Sequence, residues 1–103
     1  QPDVQWVGGV TALTRICHIA EAHGLTVICH AGMNYPYGQH LSAAMPVIQW
    51  GERSEGVSPP GVPLEECVVL PGTPVIKDGY LTPSDAPGFG IEVTKDWLED
   101  KAI

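Results

Sequence analysis

This chain's fold is decided by residues 8–30, GGVTALTRICHIAEAHGLTVICH. Apolar side chains recur there at helical spacing, and Gly24 is placed to end the helix. Residues 25–29 then form a continuous apolar run, which is typical of a strand buried on both faces of a parallel sheet. Residues 1–6 are typical of the tail of a preceding strand, so the pattern predicts a strand–helix–strand unit. The apolar positions of the helix are Val10, Leu13, Cys17 and Ala20.

Two chemically active side chains lie at the predicted ends of these strands. Asp3 lies near the first strand and His30 directly follows the second. Because parallel neighbours end at the same edge of a sheet, both side chains are expected to face one crevice. An imidazole oriented by a carboxylate can move protons near neutral pH. The alternative is that Asp3 makes a local turn after a proline while His30 only ends a strand.

The rest of the chain continues the alternation of helix and strand. We expect a loop over residues 31–38, a short helix over 39–44 and a strand over 47–50, followed by an irregular crossing. Strand-like pieces are predicted at 67–70 and 75–77, with a turn at Asp78 and Gly79 and a closing helical turn capped by Thr94 or Asp96. This α/β pattern suits either a parallel barrel or an open doubly wound sheet.

Further polar candidates flank the last predicted strand of the barrel-like region. Either Gln49 or Glu52 can reach a substrate hydroxyl or an enolate oxygen, although Glu52 also fits a solvated loop carboxylate. His40 has no carboxylate at ligand spacing, so no zinc site is predicted. Packing roles are predicted for the three cysteines, Cys17, Cys29 and Cys67.

Composition excludes several functional classes. The 103 residues carry a net charge of −7 with only five Lys and Arg residues, which argues against nucleic-acid binding. No apolar run is long enough to predict a membrane-spanning helix. An odd number of cysteines without C-x-x-C spacing fits reduced thiols and a cytoplasmic location. The chain opens on Gln-Pro-Asp without an initiator Met, and we expect it to be a piece of a longer protein.

Three segments carry a resemblance to a known family: QPDVQWVGGVT at 1–11, AEAHGLTVICH at 20–30 and PVIKDGYLTPSDAPGFGIEV at 74–93. They resemble the final third of mandelate racemase-type members of the enolase superfamily, in particular acid-sugar dehydratases of the L-rhamnonate dehydratase kind. The interval from Asp3 to His30, with Gly-Gly-Val-Thr inside it, is similar to the aspartate–histidine dyad on barrel strands six and seven of that group.

The resemblance implies the C-terminal portion of a modified (β/α)₈ barrel, from about strand six to the end of the domain. Residues 1–63 are then barrel β/α units, and residues 64–103 return toward the amino-terminal capping domain. It also implies Mg²⁺-dependent dehydration of a sugar acid to a 2-keto-3-deoxy acid through α-proton abstraction. The alternatives are a racemase or epimerase of the same superfamily, or a barrel fragment without catalytic function.

The same resemblance implies roles for individual residues. His30 is the general base, Asp3 holds it, and Gln49 takes the position of a substrate-contacting glutamate, with Glu52 as the substitute. The Mg²⁺ ligands and the substrate-selecting domain are expected upstream, so the fragment alone is expected to be inactive. The expected partners are a small sugar acid and, at full length, further copies of the same protein.

Overall fold

The fold is organised around two parallel strands with helices packed against them. The computed structural model describes residues 1–54, 60–63 and 70–101. In chain order, the elements are helix α1 (Val10–Ala22), strand β1 (Val27–Cys29), a 3-10 helix (Gly32–Asn34), helix α2 (Pro36–Ala44), strand β2 (Ile48–Gly51) and helix α3 (Lys95–Lys101). The expected α/β class is therefore confirmed, and the predicted strand at 67–70 lies almost wholly outside the described residues.

Helix α1 begins and ends at glycines. Gly9, with φ of 95°, caps its start, and Gly24, with φ of 66°, follows its end and donates its N–H to the Glu21 carbonyl oxygen. Both backbone conformations are left-handed and favour glycine because it has no Cβ. The face of α1 predicted to be apolar is the buried one, since Leu13 and Cys17 are fully buried. Burying a leucine side chain contributes about 2 kcal/mol.

The expected strand over residues 1–6 is wrong. Residues 4–8 form successive turns, with main-chain hydrogen bonds from Val7 to Asp3 and from Gly9 to Val4. Asp3 promotes this turn because its carboxylate accepts nearby main-chain N–H groups, a local pairing that competes with a strand ladder. One link to β1 remains, from the His30 N–H to the Pro2 carbonyl oxygen over 3.0 Å.

The two strands pair in parallel with one irregularity. Val27 is opposite Ile48, but Cys29 is opposite Gly51, so β2 contains one more residue than β1 between these two pairs. Gln49 is that extra residue, because the pairing passes from Ile48 directly to Trp50. An extra residue in one strand bends it and shifts every later residue by one position along the partner.

The core lies between α1, the strands and α2, and it depends on one close backbone approach. Its buried members are Val4, Leu13, Cys17, Ala20, Val27, Cys29, Leu41, Val47 and Ile48. Within α2, Gly38 lies so close to the Gly32 carbonyl group that an added Cβ would collide with the main chain. Helix α2 therefore packs tightly against the segment that follows β1.

The C-terminal segment contains the turn and the cap expected from the sequence. Lys77 and Tyr80 exchange two main-chain hydrogen bonds of 2.8 Å around Asp78 and Gly79, both of which have positive φ. Thr94 Oγ1 accepts the Trp97 N–H at the start of α3, over 3.2 Å. Within the described ranges, no helix has the length and apolar character needed to cross a membrane.

Candidate active site

His30 and Asp3 form a hydrogen-bonded pair at the carboxyl end of β1. His30 directly follows the last strand residue, and its Nδ1 lies 3.1 Å from Oδ2 of Asp3. The Asp3 side chain is 20% exposed and the His30 side chain is 53% exposed. The Nδ1 edge of the imidazole is therefore held by the carboxylate while much of the ring faces solvent.

The two oxygens of Asp3 have separate partners. Oδ1 accepts the main-chain N–H groups of Gln5 and Trp6, at 2.7 and 3.2 Å, while Oδ2 contacts His30. Asp3 therefore makes the local turn and contacts His30 at the same time, while the catalytic role of this pair stays a prediction. Partial burial raises the pKa of Asp3, but the hydrogen bonds from His30, Gln5 and Trp6 together lower it further, so the pKa lies below its ordinary value of 3.8.

The charge on Asp3 fixes the tautomer of a neutral His30. With a lowered pKa, Asp3 is ionised at neutral pH and can only accept hydrogen bonds. Nδ1 of His30 must then carry the proton that points at Oδ2, which leaves Nε2 with a free lone pair. The pair thus presents a proton acceptor to whatever occupies the solvent side.

A narrow recess lies beside the pair. It has a volume of about 10 Å³, room for roughly one water molecule, and is lined in part by Asp3, His30, Tyr35 and Tyr37. The Tyr35 and Tyr37 rings stack with centroids 5.4 Å apart, and Gln5 Nε2 donates to the Tyr37 hydroxyl over 2.5 Å. This recess is too small for a sugar acid, so a substrate of that size would approach His30 from the solvent side.

Comparison with known proteins assigns the chain to a family. The family model described as "Enolase C-terminal domain-like" matches residues 1–97. The chain belongs to this family. Its resemblance to the enolase superfamily is thereby confirmed.

Two curated relatives sharpen the assignment of this enolase C-terminal domain-like chain. It is 36% identical over 100 residues to a putative L-rhamnonate dehydratase of Caldivirga maquilingensis, covering 95% of this chain and 24% of that protein. It is 33% identical over 100 residues to an L-rhamnonate dehydratase of Saccharopolyspora erythraea, covering 93% of this chain and 24% of that protein. The chain thus spans about a quarter of the length of these relatives. No solved structure matches it.

In this enolase-like chain Gln49 lies apart from the His30–Asp3 pair. Gln49 is exposed and helps to line a hollow of about 310 Å³ between β2, α2 and the C-terminal segment, together with Gln39, Trp50 and Tyr80. Neither Asp3 nor His30 lines this hollow. The role of Gln49 in substrate binding stays a prediction.

Glu52 lies next to the pair instead. Its Oε2 accepts the main-chain N–H of Ala31, the residue after His30, over 2.7 Å. Sequence reasoning named Glu52 as a candidate because it follows the strand, but no local signal indicated that its carboxylate would bind this peptide. The Gln5–Tyr37 hydrogen bond was likewise not anticipated, since it joins residues distant in the chain.

The remaining candidates have packing roles or lie elsewhere. The His40 ring packs edge-on against Phe89, with centroids 5.6 Å apart, and does not line the recess beside His30. Cys29 is buried in the core, and burial raises the pKa of its thiol to about 11, so the thiol is neutral at pH 7. Cys67 lies outside the described residues.

The described residues do not fit a Mg²⁺ site on their own. Across the described part of the chain, no group of three His, Cys, Asp or Glu side chains could hold a metal ion. Both oxygens of Asp3 already accept hydrogen bonds, as does Oε2 of Glu52. Because Mg²⁺ requires several oxygen ligands in near-octahedral geometry, these two carboxylates cannot form its site alone.

Proposed function

We propose that this chain supplies the proton-abstracting pair of an acid-sugar dehydratase, with an L-rhamnonate-like aldonate as substrate. The observation that carries the proposal is the 3.1 Å contact between His30 Nδ1 and Asp3 Oδ2 at the end of a parallel strand. Membership of the enolase C-terminal domain-like family and relatives named L-rhamnonate dehydratase support it. The activity is that of the whole protein, meaning this chain together with the remaining length of its relatives.

In the proposed reaction His30 acts as general base. Asp3 holds Nδ1–H, and Nε2 accepts the proton bound to the carbon next to the substrate carboxylate. The resulting enolate expels its β-hydroxyl group as water, with His30 returning a proton to it, and tautomerisation gives the 2-keto-3-deoxy acid. A positioned base of this kind contributes roughly 10²- to 10⁴-fold to the rate.

The whole site is proposed to need Mg²⁺ and the rest of a barrel. A carbon acid beside a carboxylate is too weak for imidazole alone, and a divalent cation supplies the required stabilisation of negative charge. The described residues contain no such site, and, as the family resemblance implies, its ligands are proposed to lie upstream of this chain. The order β1, α2, β2 and the parallel pairing of β1 with β2 support a place in the C-terminal part of a (β/α)₈ barrel.

The test is substitution of His30 in the whole protein. We expect His30→Asn to abolish exchange of the substrate α-proton with solvent deuterium, a loss of roughly 10³-fold or more, while the protein stays folded by circular dichroism. His18→Asn is the matched control, because His18 is exposed on α1 away from the pair and should leave exchange unchanged.

The product separates the two reaction types that the family resemblance left open. A 2-keto-3-deoxy acid, detected as its semicarbazone, supports dehydration. An epimer labelled with deuterium at carbon two would instead show a racemase or epimerase. Normal exchange in His30→Asn would rule out the His30–Asp3 pair as the base in either case.

A further inference from the structure

A side-chain hydrogen bond ties the turn that carries Asp3 to helix α2. Asp3 Oδ1 accepts the Gln5 main-chain N–H over 2.7 Å. The side chain of the same Gln5 donates from Nε2 to the hydroxyl of Tyr37, on α2, over 2.5 Å. Gln5 is thus bound at two points, because its main chain holds the Asp3 carboxylate and its side chain reaches a residue distant in the chain.

The part of the turn that holds the carboxylate faces solvent. Val4 is buried in the core, but Gln5 and Trp6, whose N–H groups bind Asp3 Oδ1, are both exposed. Water competes for hydrogen bonds at such positions, so each of them contributes little net stability by itself. A further contact that fixes Gln5 therefore has a direct bearing on where the Asp3 carboxylate lies.

Tyr37 is a rigid partner for Gln5. Its ring stacks on that of Tyr35, with centroids 5.4 Å apart and planes 6° apart, and meets the ring of Phe89 edge-on at 6.2 Å. Both arrangements are favourable for aromatic pairs. Burial raises the pKa of the Tyr37 hydroxyl more than the hydrogen bond from Gln5 lowers it, so the group is neutral at pH 7. A ring held on two sides places its hydroxyl oxygen precisely.

Helix α2 is itself fixed to the segment that follows His30. Gly38, the residue after Tyr37, lies so close to Gly32 that a Cβ there would be 2.3 Å from the Gly32 carbonyl oxygen. Tyr37 and His30 also line the same recess. The two halves of the proposed base are therefore joined twice, directly by the contact between Asp3 and His30 and indirectly through Gln5, Tyr37 and α2.

We infer that Tyr37 is a positioning residue for Asp3. Its hydroxyl holds the Gln5 side chain, and the Gln5 N–H in turn keeps the Asp3 carboxylate directed at Nδ1 of His30. In this role Tyr37 acts through Gln5 and does not itself contact the substrate. The inference rests on the proposed function, and the effect of Tyr37 should appear in the rate of proton abstraction and not in substrate affinity.

The test uses Tyr37→Phe in the whole protein, which removes the hydroxyl and keeps the stacked ring. We expect kcat for α-proton exchange to fall roughly 3- to 10-fold while KM stays within about twofold, because one neutral hydrogen bond is lost. Thr14→Val is the matched control. It also removes a hydrogen-bonded hydroxyl from a helix, but Thr14 does not line the recess beside His30, so both constants should stay unchanged.

Double variants show whether Tyr37 acts through Gln5 and Asp3. Gln5→Leu should lower kcat by a similar factor, and adding Tyr37→Phe to it should cost less than about 1.5-fold more, because both changes break the same bond. Adding Tyr37→Phe to Asp3→Asn should likewise cost less than about 1.5-fold, since the carboxylate to be positioned is gone. A residue that only stabilises the fold would show its full loss in both backgrounds.

Two provisions keep the test decisive. If Tyr37→Phe does not fold, as judged by circular dichroism, the exposed substitution Gln5→Leu replaces it. If exchange by Asp3→Asn is too slow to measure, the Gln5→Leu background decides alone.

The outcomes separate the positioning role from the proposed function. An undiminished kcat in Tyr37→Phe overturns the inference, as does a full further loss when Tyr37→Phe is added to Gln5→Leu. A rise in KM of more than about twofold would make Tyr37 a substrate contact and overturn it too. His30→Asn is measured in parallel. If it abolishes exchange while Tyr37→Phe does not slow it, the positioning role alone fails, and if it retains exchange, the proposed function itself fails.

Discussion

Two polar residues of the same strand end, Gln49 and Glu52, have opposite surroundings. Gln49 is exposed and lines the hollow of about 310 Å³ with Trp50 and Tyr80. Glu52 is half-buried and holds the Ala31 peptide beside His30. Both have the chemistry to serve a reaction at His30. Glu52 hydrogen-bonds Ala31 and Met33 in the segment after His30, whereas the hollow that Gln49 lines is not lined by His30 or Asp3.

The difference between them arises from one irregularity of pairing. Gln49 is the extra residue in β2, so it has no position opposite β1, while everything after it is shifted by one residue. The shift brings Glu52 next to His30. A single unpaired residue therefore decides which of the two polar groups lies next to the segment after His30, which a comparison of residue types alone does not reveal.

The largest expected effect is a loss of stability, and it should differ between two glycines on either side of this strand end. Gly38→Ala should destabilise the whole protein by about 2 kcal/mol or more, because the new methyl group meets main-chain atoms of Gly32 that cannot move aside. This cost exceeds the gain of about 1 kcal/mol that alanine brings to a helix. Urea unfolding measures the loss.

Gly51→Ala is the matched variant on the hollow side. Its new Cβ would lie 2.6 Å from the flexible end of Met33, which can rotate, so we expect a loss below about 1 kcal/mol. Equal losses in the two glycine variants would show that the packing on the His30 side is no tighter than on the hollow side, and the comparison would fail.

A middle-sized effect concerns Gln49 directly. If the hollow stays separate from the reaction, Gln49→Ala should change kcat/KM for α-proton exchange by less than about threefold, as expected for a surface substitution. Steady-state exchange kinetics, measured beside His30→Asn, check this. A loss of tenfold or more would place Gln49 in the substrate site, as the family resemblance implied, and would remove the contrast with Glu52.

The smallest effect is a change in acid stability. Because the pKa of Asp3 is lowered in the folded state, its ionised form contributes stability above its ordinary value of 3.8, and this contribution is lost as the pH falls through the lowered value. The stability difference between the wild type and Asp3→Asn should therefore shrink between pH 6 and pH 3. Thermal unfolding across this range measures it.

A constant difference across the same pH range would contradict the lowered pKa. It would then follow that the hydrogen bonds from His30, Gln5 and Trp6 do not outweigh the partial burial of the carboxylate. The contact between Glu52 and Ala31 does not depend on this result.

Local features were predictable because neighbouring residues determine them. The spacing of Leu13 and Cys17 identified the buried face of α1, and glycine at position 24 identified its end. The turn at Asp78 and Gly79 followed from the same kind of reasoning. The pairing of Asp3 with His30 was also anticipated, although the turn that carries Asp3 was expected to be a strand.

Tertiary contacts decided the features that involve distant residues. Periodicity within residues 47–50 cannot show that β2 has one residue more than β1, since the pairing is set by hydrogen bonds between the two strands. The same holds for the close approach of Gly38 to Gly32, which depends on how α2 packs against the segment after β1.

The sequence by itself thus determined the order of helix and strand, the apolar face of α1 and the two side chains that form the proposed base. Only the tertiary structure decided that Glu52, and not Gln49, lies beside that base. The physical reason is that apolar spacing and turn chemistry act over a few neighbouring residues. The register of two paired strands depends on main-chain hydrogen bonds between separate segments of the chain.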